Sequence, residues 1–360
     1  APDINTKFMY EYQELEQVPM MANVTKWAGE LPAPDRIADV MRTAVRAAVS
    51  GSPGPTYLSI PMNWYTAELS EAVEIYAEPA FTAVAAQRSA PVAGDIERAV
   101  EVLAKASRPA ILAGGGVLMS SAWNELTALA EALDVPVVTS ISGKGAIAET
   151  HPLAVGVCGR YSRKIANDTM EECDVLVVVG SRLGAMGTDT FKVPTPDTAI
   201  VHIDADAMNL GRSYREEVSI CADAKVALAM LTDAAGQAGL PGTPSPWEEW
   251  TRGIQGRLAT WREKCRERAA EGMIDGRLNP FTVLAELNGE MRPDDVVVAD
   301  TGYMAAWSGT ILEQKAAGRG SLRAAGSLGW AFPAAIGAKL AAGDDRRVLC
   351  LSGDGGMGYH

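Results

Sequence analysis

The chain has 360 residues, of which 48% are hydrophobic and 21% charged, and its formal net charge is −13. At about 150 residues per domain, that length makes two or three domains. The acidic balance argues against nucleic acid and anionic membrane as partners, because both need a basic surface; it leaves an anionic ligand open, since local N–H groups and a metal hold a phosphate whatever the overall sign.

No apolar stretch approaches the ~20 residues of a membrane span. The five cysteines (Cys158, Cys173, Cys221, Cys265 and Cys350) are scattered without Cys-x-x-Cys spacing. They read as reduced core thiols in a cytoplasmic protein. His151, His202 and His360 form no metal-ligand spacing, and each reads as structural.

Taken in order, a polar opening with Tyr12 to Val18 leads to a short β-compatible stretch, Val24 to Trp27. Ile37, Val40, Met41, Ala44, Val45 and Ala48 fall at helical spacing, with Asp35 as the expected N-cap and Gly51 as the stop. Gly54 to Pro61 is a turn feeding a short buried strand. The Ala-rich stretch from Phe81 to Asp95, with Pro91, reads as an interdomain linker.

From Asp95 to about Leu231 helical and strand patterns alternate, which predicts a parallel sheet with helices on both faces. Asp95 is expected to cap the first helix. Strands are expected at Pro109–Ala113, Val135–Ser140, Asp174–Gly180 and Ala199–Asp204. Glycine-rich loops at 114–116, 143–145 and 180–183 follow three of them, where a doubly wound sheet binds nucleotides. They read equally well as tight strand-to-helix turns. Gly114-Gly115-Gly116 is not the G-x-G-x-x-G fingerprint, so a nicotinamide site is disfavoured.

Residues 237–245, with Pro241, Gly242 and Pro244, form a second linker. A charged helix then carries Trp247, Trp250, Ile254, Leu258 and Trp261 at packing spacing. Asn279-Pro280 is a cap followed by Pro at the first helical position. The strand Val296–Ala299 ends in Asp300-Thr301-Gly302-Tyr303, where Asp300 or Thr301 reads as a helix N-cap. The final apolar run, Arg347 to Leu351, delivers Asp354 between Gly353 and Gly355-Gly356. Glycines there let backbone N–H groups approach a phosphate, and the carboxylate supplies a hard oxygen for a divalent cation.

Gly353-Asp354-Gly355 at a strand end, together with the segment Gly326 to Gly337, resembles the thiamine-diphosphate-dependent enzymes, in their acetolactate synthase and benzoylformate decarboxylase branch. The resemblance runs from near Gln13 to His360. It implies an α/β fold of doubly wound parallel sheets, with a central Rossmann-like domain flanked by parts of the pyrimidine- and diphosphate-binding domains. The implied divisions are 1–80 for the late pyrimidine domain, 81–235 for the central domain, 236–270 for a linker and connecting helix, and 271–360 for the early diphosphate domain.

By the same resemblance Leu328 would bend the cofactor and the Gly326 carbonyl would accept its amino hydrogen. Gly302, Tyr303, Gly353, Gly355 and Gly356 would bind the diphosphate, and Asp354 would ligate Mg²⁺ or Ca²⁺. Gln13 would lie near the site entrance. Acetolactate synthases hold FAD in the central domain; here Gly180-Ser181-Arg182-Leu183-Gly184-Ala185-Met186 departs from their flavin pattern, which leaves FAD open as a second cofactor without making it the expected one. Met62 stands where the family carries an acidic residue after Pro61.

The implied reaction is decarboxylation of a 2-oxo acid with carboligation, or simple decarboxylation, by a homodimer or homotetramer. Gln13 and Lys26-Trp27 lean toward the synthase, and the wording of 326–333 toward the decarboxylase. The family's catalytic Glu is expected upstream of Ala1 and its second metal ligand, an Asn, beyond His360. These 360 residues by themselves are then expected to bind the cofactor weakly and turn over poorly. A non-catalytic nucleotide-binding module is the reading from another class.

Overall fold

The computed structural model describes residues 3–12, 14–69, 71–85, 87–242 and 245–360. Gln13 lies outside the described residues. Contacts divide the chain into two units, Ala1–Arg88 and Ser89–His360.

The first unit is built on α1 (Gln17–Ala22), β1 (Trp27–Glu30), α2 (Ile37–Val49) and β2 (Thr56–Ser59). The two strands pair in parallel, Trp27 opposite Thr56 and Glu30 opposite Ser59, with α2 as the crossover. The expected cap is corrected: Asp35 lies in a 3-10 turn before the helix, and Arg36 holds the N-cap position. Pro34 causes this, since its fixed φ suits the first residue of a tight turn. The Trp64 indole N–H donates to the Leu31 carbonyl at 3.0 Å, tying the segment after β2 to the end of β1.

In the second unit the elements are α3 (Ala93–Leu103), β3 (Pro109–Ala113), α4 (Gly115–Met119), α5 (Trp123–Leu133), β4 (Val137–Thr139), β5 (Ala154–Val157), α6 (Lys164–Glu172), β6 (Val175–Val179), β7 (Ala199–Asp204), β8 (Val218–Cys221) and α7 (Ala224–Gln237). All six strands are parallel, in the order β5-β4-β3-β6-β7-β8. Counted within the sheet this is 3-2-1-4-5-6, the order of a doubly wound dinucleotide-type fold. Residues alternate between two cores. Ile111, Val175 and Val177 pack with Ile96, Leu103, Leu126, Leu129 and Leu231 on one face. Leu112, Leu176 and Val178 pack with Ile165, Met170, Ile254 and Leu258 on the other.

The expected strand set omitted β5 and β8. Their sequences hide them: β5 is Ala-Val-Gly-Val, and β8 buries only Val218 and Ile220 while Ser219 and Cys221 face out. Both are edge strands: β8 is buried on one face only, and β5, though buried at all four positions, is short and has Ala and Gly in place of large apolar residues. Asp95 does not cap α3; Val92 stands at the N-cap and Asp95 sits in the first turn, paired with Arg98 at 2.8 Å.

Next come α8 (Glu248–Ala270), the hairpin strands β9 (Met273–Ile274) and β10 (Arg277–Leu278), α9 (Pro280–Glu290), β11 (Val296–Ala299), α10 (Tyr303–Thr310), β12 (Ser321–Arg323), α11 (Ala331–Ala342), β13 (Val348–Leu351) and α12 (Asp354–Met357). The tryptophans of α8 serve packing: the Trp247 and Trp250 indoles donate to the Ala106 and Pro109 carbonyls, both at 2.9 Å. Asn279 caps α9, accepting from the Phe281 N–H at 3.0 Å. The strands β12-β11-β13 form the second parallel sheet of this unit, also covered on both faces. Val297 packs with Leu284, Met291 and Leu312 on one side, and Val296 and Val298 with Ala331 on the other. Fold class and parallel sheets are therefore as the sequence implies.

The cysteines depart from the expectation. Only Cys158 and Cys173 are buried, their thiols pushed up to about 12 by burial; Cys221 and Cys350 are exposed and Cys265 is half-buried. Among the described residues no helix is long and apolar enough to cross a membrane, and no group of three or more His, Cys, Asp or Glu is placed to hold a metal.

Candidate functional site

The second parallel sheet assembles most of the residues singled out in the sequence. Ala299 pairs with Arg323 on one side and Leu351 on the other, so all three strands end level on the same edge. The segments leaving that edge are Asp300–Tyr303, Ala324–Gly329 and Ser352–Gly356. This is where parallel α/β sheets carry ligands, because the loops leave the carboxyl ends of the strands there.

Asp300 joins the three segments. It is buried, and its carboxylate accepts the Thr301 N–H at 2.7 Å and the Gly329 N–H at 3.2 and 3.1 Å on its two oxygens. Oδ2 also accepts from the Ser352 hydroxyl at 3.2 Å. Asp300 is therefore not the expected helix cap. Gly302 occupies that position, at φ +83° and without a side-chain cap, and α10 starts from it with Tyr303 exposed. Tyr303 stacks on Trp307, ring centroids 5.3 Å apart.

The loop between β12 and α11 turns through Gly326 at φ +111° and Gly329 at φ +83°. Both conformations favour glycine. A side chain on Gly329 would also meet Tyr359 Cβ at 2.7 Å and the Gly356 carbonyl at 3.0 Å. Between these two glycines Leu328 is 50% exposed, which an apolar side chain adopts at a cost unless something covers it. Asp354 opens α12 and is exposed; among the described residues no Lys or Arg forms an ion pair with it. Nothing lies within 4 Å of where a Cβ would stand on Gly302, Gly326, Gly353 or Gly355, so these backbones border open space. Gly356 is the exception, because its Cβ would lie 2.8 Å from Asp300 Oδ2.

Exposed backbone beside an open space and an exposed carboxylate are a donor set that fits a diphosphate carried with its own divalent cation, and the half-exposed leucine adds apolar surface on the same edge. The strand ends bring Leu328, Gly326, Gly302, Tyr303, Gly353, Asp354, Gly355 and Gly356 onto one edge. Sequence reasoning missed Asp300 and Ser352. Their signal was faint: a polar residue directly after each of two apolar strands.

The glycine loops of the six-stranded sheet are arranged differently. A Cβ on Gly114 would stand 2.0 Å from the Gly180 carbonyl oxygen, and one on Gly143 2.2 Å from the Ala113 carbonyl oxygen. The Gly114 N–H donates to the Val179 carbonyl at 2.8 Å and the Gly116 N–H to the Gly180 carbonyl at 3.0 Å. These glycines close tight turns between strand ends.

A second polar cluster joins the loop after β4 to the end of α10. Lys144 is buried, pairs with Glu149 and donates to the Leu312 carbonyl at 2.7 Å. Arg163 approaches Glu149 at 3.3 Å, donates to the Thr310 carbonyl at 2.7 Å and lies over the Trp261 ring at 4.6 Å. Burial pushes the Glu149 carboxyl up, but Lys144 and Arg163 together hold it below the usual carboxylate range. His202, also buried, pairs with Glu216 at 2.6 Å, a structural role for that histidine.

Residues 96–231 match the thiamine pyrophosphate enzyme central domain, and residues 300–360 the C-terminal TPP binding domain of the same enzymes. The chain belongs to the thiamine pyrophosphate enzyme family. It is 31% identical to the probable acetolactate synthase large subunit of Methanocaldococcus jannaschii, over 96% of this chain and 58% of that protein. The acetolactate synthase large subunit of Corynebacterium glutamicum is 30% identical over 96% of this chain and 53% of its own length. The sulfoacetaldehyde acetyltransferase of Castellaniella defragrans is 29% identical, over 96% and 59%. The chain thus spans a little over half the length of the curated relatives it matches. The matched descriptions name thiamine pyrophosphate, and FAD gains no support from them.

Proposed function

We propose that this chain carries the central and diphosphate-binding parts of an acetolactate synthase-like enzyme, which decarboxylates a 2-oxo acid and ligates the remainder to a second carbonyl compound. The observation behind this reading is the level edge of β12-β11-β13, where an exposed carboxylate, open glycine backbones and a half-exposed leucine meet. Thiamine diphosphate, when bound, supplies a carbon nucleophile and an electron sink for the bond beside the carbonyl.

The chain's own residues would hold that group. Gly302, Tyr303, Gly353, Gly355 and Gly356 would face the diphosphate, Leu328 would keep the two rings bent, and the Gly326 carbonyl would accept the amino hydrogen. Asp354 would ligate Mg²⁺. The local charge supports a metal: with Asp300 and Asp354 both acidic, a bare diphosphate would meet repulsion that a divalent cation cancels. Homo-oligomeric assembly belongs to the same reading by resemblance, and a cytoplasmic location is proposed from the cysteines, which lack Cys-x-x-Cys spacing.

The test has two parts. Thermal unfolding with millimolar thiamine diphosphate should show a rise in midpoint only when Mg²⁺ is present, lost in Asp354→Ala; no rise in the unaltered chain overturns the cofactor. Product analysis on pyruvate, with the enzyme of which this chain is proposed to be part, then decides the reaction: acetolactate supports carboligation, whereas acetaldehyde alone assigns simple decarboxylation.

A further inference from the structure

We propose that Asp300 is the positioning residue of the cofactor pocket, fastening the Leu328 loop and the Asp354 turn to the end of β11 through its buried carboxylate. The inference rests on the proposed cofactor reading for its purpose, but its geometry stands independently of it.

Leu328 and Asp354 reach the site on different segments, and something must fix their separation. Leu328 sits between Gly326 and Gly329, two residues at positive φ, in a loop that contributes little burial of its own, since residues 325–328 are all exposed. A loop of that kind is mobile unless its backbone is held. The main hold is at Gly329, whose N–H reaches both Asp300 oxygens at 3.2 and 3.1 Å; the Thr301 hydroxyl adds a longer contact to the Ser327 carbonyl at 3.4 Å. The same carboxylate takes the Ser352 hydroxyl, two residues before Asp354, at 3.2 Å.

Gly356 completes the clamp by having no side chain: its Cβ would press on Asp300 Oδ2 at 2.8 Å. Asp300 also follows the central strand of the three, which is the one position from which a short side chain can reach both neighbours' loops. A carboxylate suits the task because all its partners are donors and it offers only acceptors. Asparagine would turn an N–H₂ group toward one of those donors.

The test compares Asp300→Asn and Ser352→Ala with the unaltered chain by amide hydrogen exchange in the absence of cofactor, then by the Mg²⁺-dependent thermal shift at millimolar thiamine diphosphate. Exchange across residues 324–330 should rise about tenfold in Asp300→Asn, the loss expected for hydrogen bonds to a charged acceptor. The rise in Ser352→Ala should be smaller, and residues 95–231 should be unaffected in both. The cofactor-dependent shift should shrink in the same order.

Unchanged exchange in the loop overturns the inference, as does faster exchange with an undiminished cofactor shift, which would make Asp300 a stability residue only. If Asp300→Asn fails to fold, Ser352→Ala is read by the same two measurements, and the same two results in it overturn the inference. A missing shift in the unaltered chain instead overturns the cofactor reading, while the exchange data still decide whether Asp300 holds the loop.

Discussion

The chain places glycine-rich loops at the carboxyl ends of two parallel sheets, and the two sets do opposite things. At the six-stranded sheet Gly114, Gly116 and Gly180 are pressed together, backbone on backbone, with no room for a methyl group. At the three-stranded sheet Gly302, Gly353 and Gly355 border open space. The first set uses the missing side chain to bring strand ends together, the second to expose N–H groups. Glycines at a strand end therefore identify a ligand site only when the volume over them is empty, which is a property of the packing.

The buried charges between these regions give the largest expected effect. Glu149→Gln leaves Lys144 buried without its anion and Arg163 with only Glu313, 4.0 Å away, and breaking such a pair costs about 3–5 kcal/mol. Urea unfolding followed by tryptophan fluorescence should show that loss. A cost below about 1 kcal/mol would mean that the carbonyls of Thr310 and Leu312, rather than the carboxylate, hold the joint. The pH dependence has a definite sign. Because the folded state holds the Glu149 carboxyl below its ordinary value of 4.5, its contribution is complete above pH 4.5. It is lost as the pH falls through the lowered folded value. The unaltered chain should therefore lose more stability on acidification in that window than Glu149→Gln does.

These contrasts also show what is legible in the sequence. Strands buried on both faces, such as Val175–Val179, announce themselves as continuous apolar runs, and the doubly wound class follows from their alternation with helices. The edge strands did not: β8 is buried on one face and has too few apolar positions to stand out, and β5, buried throughout, has Ala and Gly at two of its four positions. At the site, Asp354 and Leu328 were found through flanking glycines and family wording, both local in sequence. Asp300 was read as a helix cap because its true partners, Gly329 and Ser352, lie 29 and 52 residues away. Long-range hydrogen bonds leave no local pattern. Lys144 and Glu149 lie close in sequence, but the carbonyls that Lys144 meets, of Gly309 and Leu312, are 165 and 168 residues distant, so burial of the pair could not be foreseen.

Gly114→Ala tests the closed region directly. The added methyl would stand 2.0 Å from the Gly180 oxygen and 2.7 Å from Ser181 Cα, both backbone atoms that cannot swing aside. Overpacking of this kind costs about 1–3 kcal/mol. A midpoint in urea unchanged from the unaltered chain would show that the crevice between β3 and β6 has room after all, and would reopen it as a nucleotide site.

Gly355→Ala should have the smallest effect on folding, and with the opposite sign. Gly355 lies in the first turn of α12 with nothing over it, so alanine should stabilise the helix by up to about 1 kcal/mol through lower backbone entropy in the unfolded chain. If the open space is where a diphosphate sits, the same methyl should reduce the Mg²⁺-dependent thermal shift produced by thiamine diphosphate. A stabilised variant that keeps the full shift would place the diphosphate away from Gly355. The emptiness above these glycines would then need another occupant.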